Sequence, residues 1–317
     1  MSTQQPSKFD DTREELASLT LEEAVARSHA LLDRVLAEQG VEGVEVKAIC
    51  VLYSGGNDST VLTHLMHQRA THAVHINTGI GIDKTREFVR ATCAAYGLPL
   101  IEESPPPGAT YDELVLKHGF PGPAGHMLMY TRLKERGLRA VRRQFVTNWR
   151  KERIVFVAGM RHDESARRMR NTEETHREGS IVWVSPIGHW TNEHMAAYRR
   201  AHPDVPRNEV SDVLHMSGEC LCGAFAKPGE LDMIAAFYPE TAARIRDLER
   251  RAKDAGVHCV WGTRPPRKGK TVANRDSDEI ADSSVGPLCK RCVNNSEDDE
   301  RELQELLAMF GKKDDLA

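Results

Sequence analysis

The feature that most constrains the fold is a six-residue segment with two adjacent glycines, placed between an apolar run and a helical one. The apolar run, residues 46–53, is typical of a buried parallel strand. Apolar spacing after the segment predicts a helix over residues 59–69. A strand, a glycine turn and a helix in this order predict a phosphate-binding loop. Its residues are Ser54, Gly55, Gly56, Asn57, Asp58 and Ser59.

Each residue type in this loop suits a phosphate ligand. The glycines let backbone N–H groups approach the ligand, and the helix N-terminus adds partial positive charge. Ser54 and Ser59 can donate hydroxyl groups to phosphate oxygens. Asp58 can cap the helix or hold a magnesium ion between phosphates. The alternative is an ordinary turn with Asp58 as its cap. No lysine follows the glycines, so a Walker-type loop is excluded.

Strands and helices alternate along the first two thirds of the chain. This alternation predicts an α/β fold with a doubly wound parallel sheet, whose ligands bind at the carboxyl ends of the strands. Ser54, Thr78 and Gly159 each follow a strand end, so we expect them to converge. The predicted helices are 21–39, 59–69 and 83–96, and the predicted strands are 46–53, 72–77, 98–102, 155–159 and 181–184.

The pattern divides the chain into three parts. Residues 1–44 are a polar leader and a helix, and residues 45–202 form a nucleotide-binding domain. The alternation stops near residue 203, and residues 203–317 are predicted to be a helical region with a cysteine metal site. This region includes helices at 229–256 and 297–317.

Composition places the chain among globular proteins of the cytoplasm. Apolar residues make up 40% and charged residues 28%. The polar N-terminus has no apolar signal core, and no apolar run is long enough to span a membrane, so we expect no membrane association. The net charge of −4 excludes a global basic field.

Two close pairs of cysteines predict a metal site. Four thiolates suit tetrahedral Zn²⁺ or a [4Fe–4S] cluster, and the tight C-x-C spacing favours the cluster. The alternative is four unliganded thiols. Cys259 can replace one ligand, whereas Cys50 and Cys93 are predicted to be core residues. The pairs are Cys220 with Cys222, and Cys289 with Cys292.

Three further segments follow the loop in a characteristic order. They are His75-Ile76-Asn77-Thr78-Gly79, then Gly159-Met160-Arg161 continuing to Glu164-Ser165, then Ser185-Pro186-Ile187. With the SGGxDS loop, they resemble the phosphoadenosine-phosphosulfate (PAPS) reductase-like branch of the PP-loop ATP pyrophosphatase superfamily. The resemblance covers roughly residues 45–200. Asn77 stands where that branch usually has Asp, so we assign it no metal role.

The resemblance implies a binding mode for ATP and Mg²⁺. The nucleotide's phosphates would lie on the loop, and its adenosine against the backbone at 75–79. Gly159 would lie beside it, and Arg161 would reach the phosphate or sulfate end, since its planar fork bonds two oxygens at once. The alternative for Arg161 is a surface salt bridge with Asp163 or Glu164.

The choice of activity within this branch depends on the cysteines. Assimilatory reductases carry a C-terminal Glu-Cys-Gly-x-His segment, whereas Glu219-Cys220 lies far from the end of this chain. The chain therefore most resembles the sulfur-transfer ATP pyrophosphatases of the DNA-phosphorothioation (Dnd/Ssp) systems, which carry an iron–sulfur cluster. That resemblance implies a cysteine desulfurase or another sulfur-donor protein as partner. Three alternatives stay open: a tRNA thiolation enzyme, a reductase of PAPS or adenylylsulfate, and a nucleotide-sensing subunit with structural zinc.

A basic stretch fits a nucleic-acid partner. Residues 132–153 contain nine basic and two acidic residues, a net charge of +7, with Phe145 and Trp149 among them. Such a stretch can follow phosphates and stack bases. The alternatives are a solvated face or a site for the nucleotide's own phosphates.

Overall fold

The centre of the fold is a six-stranded sheet with the strand order β3-β2-β1-β4-β6-β5. The computed structural model describes residues 13–40, 43–164 and 173–264. Neighbouring strands are parallel except β5, which pairs antiparallel with β6. The predicted α/β sheet is therefore confirmed. The strands are β1 Glu45–Leu52, β2 His72–Ile76, β3 Leu100–Glu103, β4 Glu152–Val157, β5 Thr175–Glu178 and β6 Ile181–Val184.

Helices follow most of the strands. A 3₁₀ turn covers Pro123–Gly125, another covers His162–Glu164, and a π-helical turn at Thr131–Glu135 precedes α7. The helices are α1 Arg13–Ala17, α2 Leu21–Gln39, α3 Asn57–Met66, α4 Asp83–Ala95, α5 Tyr111–His118, α6 His126–Tyr130, α7 Arg136–Phe145, α8 Asn192–Ala201, α9 Glu209–Leu214, α10 Glu230–Phe237 and α11 Pro239–Asp254.

Most of the predicted elements agree with the structure to within a few residues. The helix predicted over 229–256 is two helices that meet at Tyr238. Pro239 opens the second helix, where its missing N–H breaks no helical hydrogen bond. No hydrophobic pattern indicates β5 in the sequence, because its four residues are polar and partly or fully exposed. The helix predicted over 297–317 lies outside the described residues.

The chain divides into two compact units. Unit 1 comprises residues 1–107 and 131–220, and unit 2 comprises residues 108–130 and 221–317. This differs from the boundary predicted at 202/203, because residues 203–220 group with the sheet. Their polar groups are bonded there, as in the 2.7 Å hydrogen bond from Thr85 Oγ1 to the Ser217 carbonyl.

Strands β1 and β4 are packed into the core of unit 1. Val51 of β1, Val61 of α3 and Val155 of β4 are fully buried in one cluster, with Leu32 of α2. Burial of this kind is worth about 1.5–3 kcal/mol for each large aliphatic side chain. The loop between β1 and α3 therefore connects two elements that are both packed into the core.

Unit 2 contains α5, α6, α10 and α11. Asp112 of α5 forms ion pairs with Arg244 and Arg251 of α11. The Trp261 indole donates to the Leu221 carbonyl at 2.8 Å. Within the described parts of both units, no helix is long and apolar enough to cross a membrane.

Candidate nucleotide site

The loop between β1 and α3 has the geometry of an anion site. Gly55 has a φ of +76°, and a Cβ there would lie 2.8 Å from Thr85 Cγ2. Gly56 is the N-cap of α3, and no described side chain caps this helix. Ser54 Oγ and Ser59 Oγ lie 3.1 Å apart. Ser59 Oγ also donates to the Gly56 carbonyl at 3.0 Å. The N–H groups at the start of α3 and the hydroxyls of Ser54 and Ser59 therefore lie in one place.

Asp58 and Arg161 form a buried ion pair at this loop. Arg161 Nε lies 3.1 Å from Asp58 Oδ2, and the two side chains are only 6% and 8% exposed. Arg161 also donates to Asn192 Oδ1 at 3.0 Å and to the Trp190 carbonyl at 3.4 Å. Asp58 is thus neither a helix cap nor a free carboxylate. Arg161 is buried against Asp58 and is therefore not the exposed side chain that the alternative of a surface salt bridge assumed.

Gly159 lets the end of β4 approach α3 closely. A Cβ at Gly159 would lie 3.3 Å from the backbone nitrogen and Cα of Ser59. A side chain there would push against helix backbone rather than against a flexible group. Because β4 neighbours β1 in the sheet, the residues after both strands meet here. The structure thus brings Gly159 and Arg161 to the loop, as the sequence predicted.

A buried polar cluster lies after β2. His75 Nδ1 is 2.8 Å from the Tyr53 carbonyl, which can only accept, so His75 donates from Nδ1. His75 Nε2 lies 3.2 Å from Glu219 Oε2. Glu219 Oε1 accepts from the Thr78 amide at 2.8 Å, and the Thr78 hydroxyl donates to the Glu219 carbonyl at 2.6 Å. Tyr53 directly precedes the loop, so this cluster is tied to it.

Asn77 shapes the turn after β2. Its Oδ1 accepts from the Gly79 amide at 2.9 Å, and its Nδ2 donates to Glu102 Oε1 at 3.0 Å. Glu102 also accepts two hydrogen bonds from Arg90, which lower the pKa of its carboxyl group. The Asn77 amide is therefore used within the protein, as its short side chain often is in turns.

Sequence reasoning missed three residues that shape the site. Asn208 Nδ2 donates to the Gly55 carbonyl at 2.8 Å, and Arg199 Nε donates to Asn57 Oδ1 at 2.7 Å. Burial lowers the pKa of Arg199. Glu219, the third, was considered only with its neighbouring cysteine. These residues come from distant segments with no local motif, so the only available signal was the Glu-Cys dipeptide.

The described cysteines differ in how deeply they are buried. Burial raises the pKa of Cys50 to about 12 and that of Cys93 to about 11, which confirms them as core residues. Cys222 is buried in unit 2, and Cys220 is half-buried in unit 1. Within the described ranges, no cysteine belongs to a set of three possible metal ligands. Cys289 and Cys292 lie outside the described residues, so the predicted metal site stays a prediction.

The basic stretch forms a stripe along one helical face. Leu138 and Val141 are buried, whereas the exposed arginines recur at intervals of four, three and four residues: Arg132, Arg136, Arg139 and Arg143. Trp149 is 59% exposed, and Arg150 lies over its ring at 5.2 Å.

Two residues of this stretch are not available to a partner. Arg153 is buried and donates to three backbone carbonyls, and Phe145 packs edge-on against His72. Phe145 is half-buried and already uses part of its ring in this contact, whereas Trp149 is exposed.

Comparisons with known proteins agree with this geometry. A model of the family described as the phosphoadenosine phosphosulfate reductase domain matches residues 48–212, which is more than half of the chain. This segment contains the loop, Arg161 and Asn208. No curated protein matches the sequence at a significant level.

Several solved structures share a distant likeness. A PAPS reductase from Candida auris in a phosphate complex has 18% identity and a TM-score of 0.42, with 62% of this chain and 92% of that chain covered. The U34-tRNA thiolase NcsA from Methanococcus maripaludis, with its [4Fe-4S] cluster, has 12% identity and a TM-score of 0.42, with 77% and 84% covered. An ATP complex of Candida glabrata FMN adenylyltransferase has 14% identity and a TM-score of 0.41, with 63% and 64% covered.

Proposed function

The chain belongs to the phosphoadenosine phosphosulfate reductase domain family, and we propose that it is an ATP pyrophosphatase acting in sulfur transfer. In this proposal the protein activates an oxygen of a nucleic acid for replacement by sulfur, and the preferred acceptor is an oxygen of the DNA backbone. The observation that carries the proposal is the loop of residues 54–59. Its glycine turn, its two hydroxyls and the first turn of α3 lie together at the end of β1.

The loop would hold the β- and γ-phosphates of ATP. Ser54 and Ser59 would donate hydroxyl groups to phosphate oxygens, and backbone N–H groups of the first turn of α3 would donate as well. A substrate oxygen would attack the α-phosphorus, and the bond from that phosphorus to the bridging oxygen of pyrophosphate would break. Pyrophosphate leaves, and the substrate oxygen is adenylated. The protein contributes mainly position and neutralised charge.

Arg161 acts in this proposal through Asp58. Both oxygens of the Asp58 carboxylate lie within 3.4 Å of the Arg161 guanidinium, which fixes the first turn of α3. A magnesium ion bound directly by Asp58 would compete with this ion pair. We therefore assign Mg²⁺ to the phosphates of the incoming nucleotide. We assign to Asp58 the role of ion-pair partner of Arg161.

The adenosine would lie against the backbone after β2. The turn at 75–79 is held by buried hydrogen bonds of His75 and Thr78 to Glu219, so its backbone is preorganised. Such a rigid edge can discriminate a base by its hydrogen-bonding pattern with little loss of conformational entropy on binding.

The arginine stripe supports a nucleic-acid substrate. Four exposed guanidinium groups along one face would follow a phosphate backbone, and Trp149 would offer an exposed ring for stacking. Affinity for DNA should fall steeply as salt rises. Reversal of charge at Arg136 and Arg143 should weaken DNA binding and leave ATP binding unchanged. Arg142 is the matched control for these two arginines. It lies on the same helix, but its side chain is held within the protein, where its Nε donates to Ser180 Oγ at 2.8 Å.

The sulfur would come from a partner protein such as a cysteine desulfurase. A [4Fe–4S] cluster, or Zn²⁺ in its place, would be held by Cys220, Cys222, Cys289 and Cys292. We derive no step through this group, because the described cysteines do not themselves complete a ligand set. We place the reaction in the cytoplasm, where thiols stay reduced.

A second candidate function is reduction of a sulfonucleotide, and one observation favours it. Glu219 is bonded to His75 and Thr78 at the carboxyl edge of the sheet, and Cys220 is the next residue. A half-buried thiol is thereby fixed to the segment that would face the nucleotide. Its attack on the sulfur of PAPS would release the adenosine nucleotide and leave a thiosulfonate for reduction by thioredoxin.

Two assays separate these functions. The protein is incubated with Mg-ATP, with and without duplex DNA or tRNA, and pyrophosphate is measured against phosphate. A parallel reaction contains PAPS or adenylylsulfate with reduced thioredoxin, and sulfite is measured. Pyrophosphate release without sulfite supports the proposal. Sulfite release that is lost in a Cys220→Ser variant would replace it by the reductase function.

A further inference from the structure

Two histidines and one aspartate bring three metal-ligand atoms together at the C-terminal end of α3. His64 lies in the last turn of α3, and His202 and Asp204 follow the end of α8. One ligand atom of each residue lies within 4.8 Å of the other two. All three residues belong to unit 1, and the proposed nucleotide site uses none of them.

We propose that His64, His202 and Asp204 bind a divalent first-row transition-metal ion, with Zn²⁺ preferred. Two imidazole nitrogens and one carboxylate oxygen are donors that zinc takes in three-ligand protein sites, where water supplies the fourth position. Mg²⁺ and Ca²⁺ prefer oxygen donors throughout, so two imidazoles select against both ions.

The separations are close to those of a coordination site. His64 Nε2 lies 3.0 Å from Asp204 Oδ2. Ligand atoms around tetrahedral zinc, with bonds near 2.0–2.1 Å, lie roughly 3.4 Å apart. The His64–Asp204 pair therefore has nearly the right spacing, and His202, whose ligand atom lies within 4.8 Å of the other two, has to approach by at most roughly 1.4 Å. Its ring centroid lies 5.3 Å from that of His64.

Tyr198 orients the central ligand. Its hydroxyl oxygen lies 2.8 Å from His64 Nδ1, and its ring packs edge-on against the His64 ring. When Nδ1 donates its proton to Tyr198, the lone pair on Nε2 points toward Asp204. Metal-binding histidines generally have such a partner on the second nitrogen, which fixes both tautomer and ring orientation. Tyr198 is therefore a positioning residue.

The site combines a buried anchor with an open side. The His64 side chain is 10% exposed, whereas that of Asp204 is 71% exposed. An ion can therefore enter from solvent and keep a water ligand. Because His64 lies on α3 and His202 follows α8, a bound ion would join these two helices. Arg199 of α8 also contacts Asn57 of the loop, so the ion would steady a helix that meets the nucleotide site.

Zinc binding to the full chain tests the proposal by equilibrium dialysis and calorimetry. The wild type is compared with Asp204→Asn and His202→Ala, and each variant should bind one zinc equivalent fewer. Asp204 is exposed, so its variant keeps the fold even where a His64 variant does not. Any zinc that the cysteines bind is common to the wild type and the variants, so it cancels in the difference between them. Tyr198→Phe should keep the stoichiometry and lower the affinity about tenfold.

His67→Ala is the matched control. His67 lies beside His64 and hydrogen-bonds the His64 carbonyl from Nδ1 at 2.7 Å, yet it lies outside the ligand set. This variant should keep the full zinc stoichiometry. Co²⁺ bound at the site should show no thiolate charge-transfer band. Equal zinc binding by the wild type, Asp204→Asn and His202→Ala would overturn the proposal, as would displacement of the ion by equimolar Mg²⁺.

Discussion

The two ends of α3 differ in how their residues are assembled. At the N-terminal end, the loop residues are contiguous in sequence, and a glycine turn and an ion pair hold them. At the C-terminal end, His64 meets a side chain of α8 and side chains directly after α4 and α8, and the cluster is aromatic and imidazole-rich. The loop at the first end is encoded by a local motif, whereas the cluster at the second end exists only once the chain has folded.

The largest expected effect is loss of the ion pair at the N-terminal end. Arg161→Ala leaves Asp58 buried without its partner, which should lower the free energy of unfolding by about 3–5 kcal/mol. Urea denaturation measures this change. The matched control is the exposed pair of Lys84 and Glu209, 3.5 Å apart, where Lys84→Ala should cost less than about 1 kcal/mol. Equal effects of both variants would show that the loop is not held by a buried charge pair.

The next effect is a loss of folding stability at acid pH, which we assign to a buried histidine of the core. Burial lowers the pKa of His189 to about 4 from its ordinary 6.5. Between pH 6.5 and pH 4, His189 takes up a proton in the unfolded chain but not in the folded chain. The free energy of unfolding is therefore highest above pH 6.5 and falls as the pH approaches 4. The loss should be on the order of 3 kcal/mol.

His189→Gln tests this assignment, because glutamine keeps an N–H donor for the Ala24 carbonyl but does not protonate in this range. Denaturation between pH 7 and pH 4 should show a flatter profile for the variant. An unchanged pH profile would place the acid-sensitive group elsewhere.

The loop turn itself should show an intermediate effect. Gly55→Ala combines a strained positive φ with a Cβ placed 2.8 Å from Thr85, and should destabilise by about 2–3 kcal/mol. Gly79 has a similar φ of +79° but open space at the Cβ position, so Gly79→Ala should cost only about 1 kcal/mol. Thermal or urea unfolding of the two variants gives the difference. Equal losses would mean that the contact with Thr85 contributes nothing.

The smallest effect belongs to the C-terminal end. Tyr198→Phe removes one hydrogen bond to His64 and should lower metal-free stability by about 1 kcal/mol. Burial raises the pKa of the Tyr198 hydroxyl, so the group stays protonated at neutral pH and the loss should not vary between pH 7 and pH 8. A loss as large as that of Arg161→Ala would remove the distinction between the two ends.

The same distinction explains what the sequence could predict. The loop, the β1–α3 unit and the positions of Gly159 and Arg161 follow from local patterns and from the rule that parallel strands end at one edge. Glu219 and Asn208 could not be found this way, since each meets the loop or the β2 turn from more than 120 residues away in sequence. The pairing of Arg161 with Asp58 rather than Asp163 likewise depends on which strands are neighbours.

The predicted domain boundary at 202/203 differs from the division into two units for a related reason. Hydrophobic periodicity ends near residue 203, yet the polar residues that follow are held in unit 1 by hydrogen bonds of Asn208, Ser217 and Glu219. Periodicity reports apolar burial and is insensitive to buried polar contacts. Residues 108–130 group with unit 2 although they directly follow β3 and its loop, which no local pattern indicates.

Pyrophosphate release by Ser59→Ala and Thr63→Val variants tests the central claim most directly. Ser59 presents its hydroxyl beside Ser54 in the loop, whereas Thr63 lies one turn further along α3 and donates to the Ser59 carbonyl at 2.7 Å. Both changes remove one buried hydroxyl from the same helix. We expect Ser59→Ala to lose at least about tenfold in pyrophosphate release and Thr63→Val to retain the wild-type rate in its folded fraction. Equal rates in wild type and Ser59→Ala would contradict a nucleotide site at the N-terminal end of α3.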